Sequence, residues 1–336
     1  ARRQRGGRGH PGRTGARVKA VGDLLATFAR HGRALLVIGL LAGILLPGLA
    51  QAMKAWLPEL VAAMLFLAAL RIGPRQAVGA VRDIPVVVGL VLIFQLVLPL
   101  ALIAMFSVVG RLDSAIAHSL VLMASAASIA GSPNLTVMTG NDPAPALRLL
   151  ILGTALLPLT VLAPLWFLPE LGSAAEVLAA AGRLLVVIWL AAGAAFLVRG
   201  FARRDPSRRE IEILDGASAV AMVVVVLGLM SAVGPALMRS PPEFLYWLAI
   251  ACGANLGLQM AVALLLAHTR LGSDRAAIAI VAGNRNIALF LVALPASVTD
   301  PLLLFIGCYQ IPMYLTPLVM RRFYRPKTAA PRDPAT

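Results

Sequence analysis

The chain has 336 residues, 60% of them hydrophobic and 13% charged, with a formal charge of +15 and a mean hydropathy of +0.86. A soluble domain is about 45–50% apolar and about 25% charged, so this composition excludes a water-soluble globule and argues against a disordered chain or a coiled coil. The two cysteines, Cys252 and Cys308, lie in apolar runs and give neither a disulfide framework nor a metal-ligand cluster.

From the N-terminus, residues 1–33 read as a disordered basic tail. Arg2, Arg3, Arg5, Arg8, Arg13, Arg17 and Lys19 are interleaved with glycines and suit an anionic lipid surface. Ten apolar stretches then follow at 34–52, 56–72, 84–107, 113–131, 144–168, 177–200, 216–238, 243–268, 274–295 and 301–321. Each approaches the ~20 residues a helix needs to cross the hydrocarbon. None alternates polar with apolar as a barrel strand does, so the expected class is an all-α membrane protein with about ten transmembrane helices. The expected organisation is a first five-helix repeat over 34–200, a cytoplasmic linker over 201–215, the rest of the second repeat over 216–322 and a C-terminal tail over 323–336. Span six, at 177–200, belongs to the second repeat.

With the N-terminus in the cytoplasm, 25 of the 30 Lys and Arg fall in cytoplasmic segments, while Lys54, Arg111 and Arg239 fall outside. That bias predicts both termini in the cytoplasm, which requires an even number of spans. Basic residues placed between apolar runs encode topology, so no nucleic-acid partner is expected; the bilayer is the expected surroundings. High Ala, Arg and Leu content points to a bacterial inner membrane.

Five spans per half is an odd number, so two similar halves insert in opposite orientations, the layout of inverted-repeat carriers. The halves carry matching irregularities. Span four runs into Ala130-Gly131-Ser132-Pro133-Asn134 and then Leu135-Thr136, and span nine contains Ala282-Gly283-Asn284-Arg285-Asn286. Asn134 follows Arg33, at the start of span one, by 101 residues, and Asn286 follows Arg183, near the start of span six, by 103. Unwound backbone survives at membrane depth only beside protein or a cavity. Two broken helices aim the positive ends of their second halves at the centre, which favours an anion. The plainer alternative makes Pro133 an ordinary kink and Gly283 a packing glycine.

Further candidates lie near the breaks. Asn255 and Gln259 share one face of span eight, four residues apart, and either line the core or bond a neighbouring helix. Tyr309 and Gln310 of span ten, and Gln95 of span three, stand where contact with the breaks is expected. Asp142, before Pro143, reads as the cap that starts span five. Lone His118 reads as structural, and Arg183 as a side chain that snorkels to the interface. No His-Glu-x-x-His, no Ser/His/Asp set at membrane depth and no phosphate loop occurs, so no enzymatic activity is expected.

From Ala34 to Arg322 the chain resembles the bile acid/sodium symporter family of ten-span carriers. The resemblance rests on Gly39-Leu40-Leu41-Ala42-Gly43-Ile44-Leu45-Leu46-Pro47-Gly48 in span one, Leu70-Arg71-Ile72 at the exit of span two, and Gln95 with Pro99 in span three. Leu271-Gly272 with Arg275, leading into Gly283-Asn284-Arg285-Asn286, completes it. The resemblance implies that discontinuous helices four and nine cross, that spans 3–5 and 8–10 form a core and spans 1, 2, 6 and 7 a panel, and that a small organic anion is carried by alternating access, usually with sodium. Placing Pro158 on the family's fifth-span proline puts Thr154 on a sodium-site threonine and Leu150 where a hydroxyl is usual. Pro133 stands in place of a serine, Val281 of a glutamate and Arg285 of a glutamine. Sodium prefers several oxygen ligands, so these replacements weaken its coupling, and no other cofactor or metal is expected. The Arg285 guanidinium either stands in for the bound cation and attracts a carboxylate, or caps carbonyls of span four without meeting cargo. Rival readings are a sodium-independent carrier of the auxin-efflux type, which Pro133-Asn134 also resembles, and a non-transporting sensor. Arsenite exporters are less similar, since their cysteine at the fourth-span break is missing.

Overall fold

In a computed structural model, the structure describes residues 13–79, 83–168, 173–202 and 206–324, and everything below concerns these. Their regular structure is all helical, and the one isolated extended contact among them pairs Ser128 with Arg285. The first helices are α1 (Arg13–Arg30), α2 (Gly32–Leu45), α3 (Pro47–Lys54) and α4 (Leu57–Gly79), the last non-helical at Gly73. Next come α5 (Ile84–Val108), α6 (Ala115–Ser125), α7 (Ser132–Met138), α8 (Ala144–Trp166) and α9 (Ala174–Ala202). The remainder is α10 (Arg208–Leu229), α11 (Val233–Arg239), α12 (Pro241–Leu266), α13 (Arg275–Gly283), α14 (Phe290–Ala293), α15 (Ala296–Val319) and α16 (Arg321–Tyr324).

Six helices are long and apolar enough to cross a bilayer, or up to eight if each of two bent pairs counts as one span, which makes this a multi-pass membrane protein. The difference from ten has a physical cause. The expected span 113–131 holds only the 11-residue α6, with the seven-residue α7 beyond its break, and 274–295 is cut into the nine-residue α13 and the four-residue α14, all too short to cross. The first expected span breaks at Leu46, where Pro47 opens a new helix. The bent pairs are α1 with α2, turning through 86° after residue 30, and α3 with α4, turning through 73°.

Two expectations are corrected. The tail expected to be disordered over 1–33 is helical from Arg13 to Arg30. The face of α1 that carries Gly22 and Leu25 packs on α10, where Gly22 lies against Ile213 and Leu25 against Gly216, while Val21 and Leu24 stay exposed. The approach is close: a Cβ on Gly216 would stand 1.9 Å from the Leu25 carbonyl oxygen, so only glycine fits there. Asp23 pairs with Arg209 across the same contact. The linker expected over 201–215 is shorter, because α10 already starts at Arg208. Ser207 and Glu210 form a reciprocal capping box there. At the other end, Phe323 and Tyr324 of the expected tail belong to α16, while residues 1–12 and 325–336 lie outside the described residues.

Packing separates into two groups. Helix α4 lies along α9, and α10 takes α1, α2, α3 and α4 along its length. In the other group α5 packs on α6 and α8, α12 on α13 and α15, and α13 on α7 and α8. The groups meet where α14 touches α4 and α9, where α8 touches α9, and where α11 leads into α12.

Candidate functional site

The site is built where the two interrupted helices meet. Ser114 starts α6 by accepting from the Ala117 N–H, and the helix stops at Ala126, whose ψ of 152° is extended. The chain stays unwound until Ser132, where Pro133 opens α7 in a first-turn position that has no N–H to satisfy. In the other half α13 stops at Asn284, and Ile287–Leu289 form a 3₁₀ turn that leads into α14. The two unwound segments satisfy each other. Ile129 N–H donates to Asn284 O at 3.0 Å and Asn286 N–H to Ala127 O at 2.8 Å. Ser128 and Ser132 hydroxyls lie 2.6 Å apart beside this contact. Each break thus supplies part of what the other lost by leaving the helix.

Arg285 sits at the centre of the contact, 2% exposed. Its Nε donates to Ala282 O at 2.8 Å, one Nη to Ala126 O at 3.0 Å and the other to Phe94 O at 3.3 Å. All three acceptors lack an ordinary helical donor. Ala282 and Ala126 lie at the C-terminal ends of α13 and α6, where carbonyls are orphaned and the dipole is negative. Phe94 lies in a π-turn of α5 over Ile93–Val97, in which Leu98 N–H bonds back to Ile93 O. The next donor in that register is Pro99, which has no N–H. The Phe94 ring also lies under the guanidinium, 5.2 Å from its carbon. No acidic side chain among the described residues pairs with Arg285. Its contacts in this conformation are those of a cap on both first-half helices.

The second break carries a buried polar network. A second π-turn, Gly253–Gly257 of α12, presents Asn255. Its amide donates to Gly283 O and to Asn284 Oδ1. Gln259 donates to Asn255 Oδ1 at 2.7 Å and to Thr316 Oγ1 at 3.1 Å, and Thr316 lies 3.3 Å from Asn284 Oδ1. Tyr309 also donates its hydroxyl to Gly283 O. The fit leaves no room at Gly283, where a Cβ would stand 2.3 Å from Gln259 Cγ and 2.4 Å from Asn255 O. At its far end the Tyr324 hydroxyl donates to Gln259 Oε1 at 3.1 Å, and Asn141 donates to Tyr324 O at 3.2 Å. Burial pushes the Tyr324 phenol up, which keeps it a protonated donor.

Of the residues expected at the site, Asn255, Gln259, Gly283, Asn284, Arg285 and Tyr309 come together. Asn134 is exposed and Asn286 half-buried beside the contact, and neither side chain hydrogen-bonds to any described residue. Pro133 and Thr136 are buried in α7, Thr136 bonding to Ser132 O of its own helix. Three are turned elsewhere. Gln95 ties α5 to α8, donating to Gly153 O at 3.1 Å and accepting from Thr160 at 2.9 Å. The carbonyl of Phe94, one residue earlier, makes the contact expected of Gln95. Thr154 makes no hydrogen bond among the described residues, and Gln310 bonds only to Ile306 O of its own helix. Asp142 stands one residue before the N-cap of α8, Pro143, and accepts from Ala144 N–H at 3.0 Å. Arg183 is exposed and donates to Ala293 O, at the end of α14, at 3.0 Å.

Sequence reasoning missed Phe94, Thr160, Thr316 and Tyr324. Pro99 was a usable signal, since a proline frees the carbonyl one turn before it, although the π-turn moves the freed carbonyl to Phe94. Hydroxyl and aromatic residues in an apolar helix carry no comparable mark. No protein-family model matches the chain, and no curated protein sequence matches it.

Proposed function

We propose that the protein is a secondary carrier that moves small organic anions by alternating access, with the architecture of the bile acid/sodium symporter family. In this reading the halves are inverted repeats, the unwound segments at Ser128 and Arg285 are the crossing of discontinuous helices four and nine, and the two packing groups are panel and core. The carrier lies in a bacterial inner membrane with both termini in the cytoplasm.

The observation that carries the reading is Arg285, buried at the meeting of two broken helices with no acidic partner. A charge of this kind at membrane depth costs about 2.5–3.5 kcal/mol on insertion scales and is retained where it serves a function. Carbonyl dipoles offset part of it, and the remainder makes the adjoining space favourable to an anion. The amides of Asn134 and Asn286 make no hydrogen bond among the described residues and are available as donors to a carboxylate. Carbonyls that converge from three segments form a cation site, and Arg285 fills it permanently, so the carrier runs without sodium. That property is shared with the auxin-efflux type.

The test is counter-flow of small carboxylates in proteoliposomes, in sodium and in choline buffers. Flux equal in both buffers is expected for the wild type, with at least a tenfold loss in Arg285→Gln. Strict sodium dependence of the wild type overturns the fixed-cation assignment. Binding of a carboxylate without flux favours a sensor.

A further inference from the structure

The seam between the two packing groups contains a cavity of about 340 Å³, away from the crossing. One wall comes from α3 and the start of α4, with Lys54, Leu57 and Pro58; the other comes from α14 and α15, with Leu291, Leu294 and Asp300. Lys54 and Asp300 meet across it at 3.0 Å. The remaining ion pairs of the described residues stay within one group. Arg71–Asp215, Arg209–Asp23 and Arg208–Glu212 belong to the α4 and α10 side, and Arg148–Asp83 to the α5 and α8 side. Lys54–Asp300 alone among them crosses the seam, and it does so on the wall of the cavity.

The partners are unequal. The Lys54 side chain is 26% exposed and that of Asp300 is 47%. Freeing the more buried ammonium without a partner is costly, whereas the carboxylate turns out into water at little cost. Exchange of Asp300 for another carboxylate is therefore the easy replacement at this pair, and exchange of Lys54 for another cation the hard one. The volume suits a small ligand, and the apolar remainder of the wall suits an aliphatic body.

We infer that this cavity is a loading site for a small aliphatic monocarboxylate. Lys54 is the cation that receives the ligand, and Asp300 is the resident carboxylate that holds Lys54 until the ligand displaces it. The inference rests on the carrier reading, to which it adds a cargo class and a point of entry.

The test is calorimetric titration of the purified full chain in detergent with hexanoate, with hexylammonium and hexanamide as controls. Lys54→Gln is expected to weaken hexanoate binding at least tenfold, and Lys54→Arg to restore most of it. Asp300→Asn removes the competing carboxylate and is expected to tighten binding several-fold. Leu294→Trp fills the cavity and is expected to abolish binding in a protein that elutes and melts as the wild type does. Lys54→Gln and Asp300→Asn shifting affinity in the same direction, or hexylammonium binding better than hexanoate, overturns the loading site. Unchanged hexanoate affinity in Lys54→Gln does the same and leaves the carrier reading standing. Binding that follows the expected pattern, with no counter-flow of any carboxylate, sinks the carrier reading and leaves the site.

Discussion

The two breaks use the same backbone device and stabilise it differently. In each half a π-turned helix precedes the interrupted one and offers an amide from the turn, Gln95 in α5 and Asn255 in α12. Asn255 reaches the break in its own half and holds Gly283 O and Asn284, while Gln95 turns away to Gly153 and Thr160 of α8. The first break therefore depends on what crosses from the second, above all the Arg285 guanidinium on Ala126 O and the backbone of Asn284 and Asn286. The backbone bonds run both ways, but one half has side-chain support of its own and the other takes its side-chain support from outside. The half that depends on its partner is also the one that leaves an asparagine, Asn134, exposed. Fewer side chains committed to structure leave more available to a ligand.

The sharpest way to break this comparison is Arg285→Met. It leaves Ala126, Ala282 and Phe94 carbonyls buried without their donor, at about 1–3 kcal/mol for each that finds no replacement. A loss of stability larger than any other single change here is expected, read as the shift in thermal midpoint in detergent. Near-wild-type melting would show that the first break does not depend on its partner.

A smaller effect separates the two amides. Asn255→Leu removes three buried hydrogen bonds, to Gly283 O, Asn284 Oδ1 and Gln259, although Tyr309 and Thr316 keep a donor on the first two, and is expected to cost about 1–3 kcal/mol; Gln95→Leu removes two, to Gly153 O and Thr160, and costs less because the Thr160 hydroxyl keeps Leu156 O and Leu157 O within reach. Denaturant titration of the two variants under one condition decides it, and equal or reversed costs remove the asymmetry. The smallest structural effect belongs to Asn134→Ala, expected within about 0.5 kcal/mol of the wild type, as for exposed side chains generally. The same variant is expected to lose counter-flow of carboxylates. Destabilisation by Asn134→Ala would place that side chain in the framework instead of beside a ligand.

How much of this is legible in the sequence follows from what each feature is made of. Long helices are written in hydropathy. Both breaks are also readable, because glycine, proline and asparagine are the residues that tolerate leaving a helix, as at Gly131-Ser132-Pro133-Asn134 and Gly283-Asn284-Arg285-Asn286. The number of single helices able to cross is not, since a break inside an apolar run leaves its hydropathy intact. An arginine in such a run is conspicuous, but its partners at Ala126, Ala282 and Phe94 are backbone carbonyls, which no residue type announces. The π-turns have the same property, and they decide whether Gln95 or Phe94 faces the contact between the two breaks. Helix α1 follows basic, glycine-rich residues that mask it in the sequence, and its contact with α10 runs through small residues, Gly22 and Gly216, that hydropathy does not mark.

Tyr324 joins the exit of one broken helix to the polar network of the other, through its carbonyl to Asn141 and its phenol to Gln259. Every other member of that arrangement is translated earlier. Cutting the chain just before Phe323 therefore leaves every long apolar helix of the described residues whole and takes away only the clasp between them.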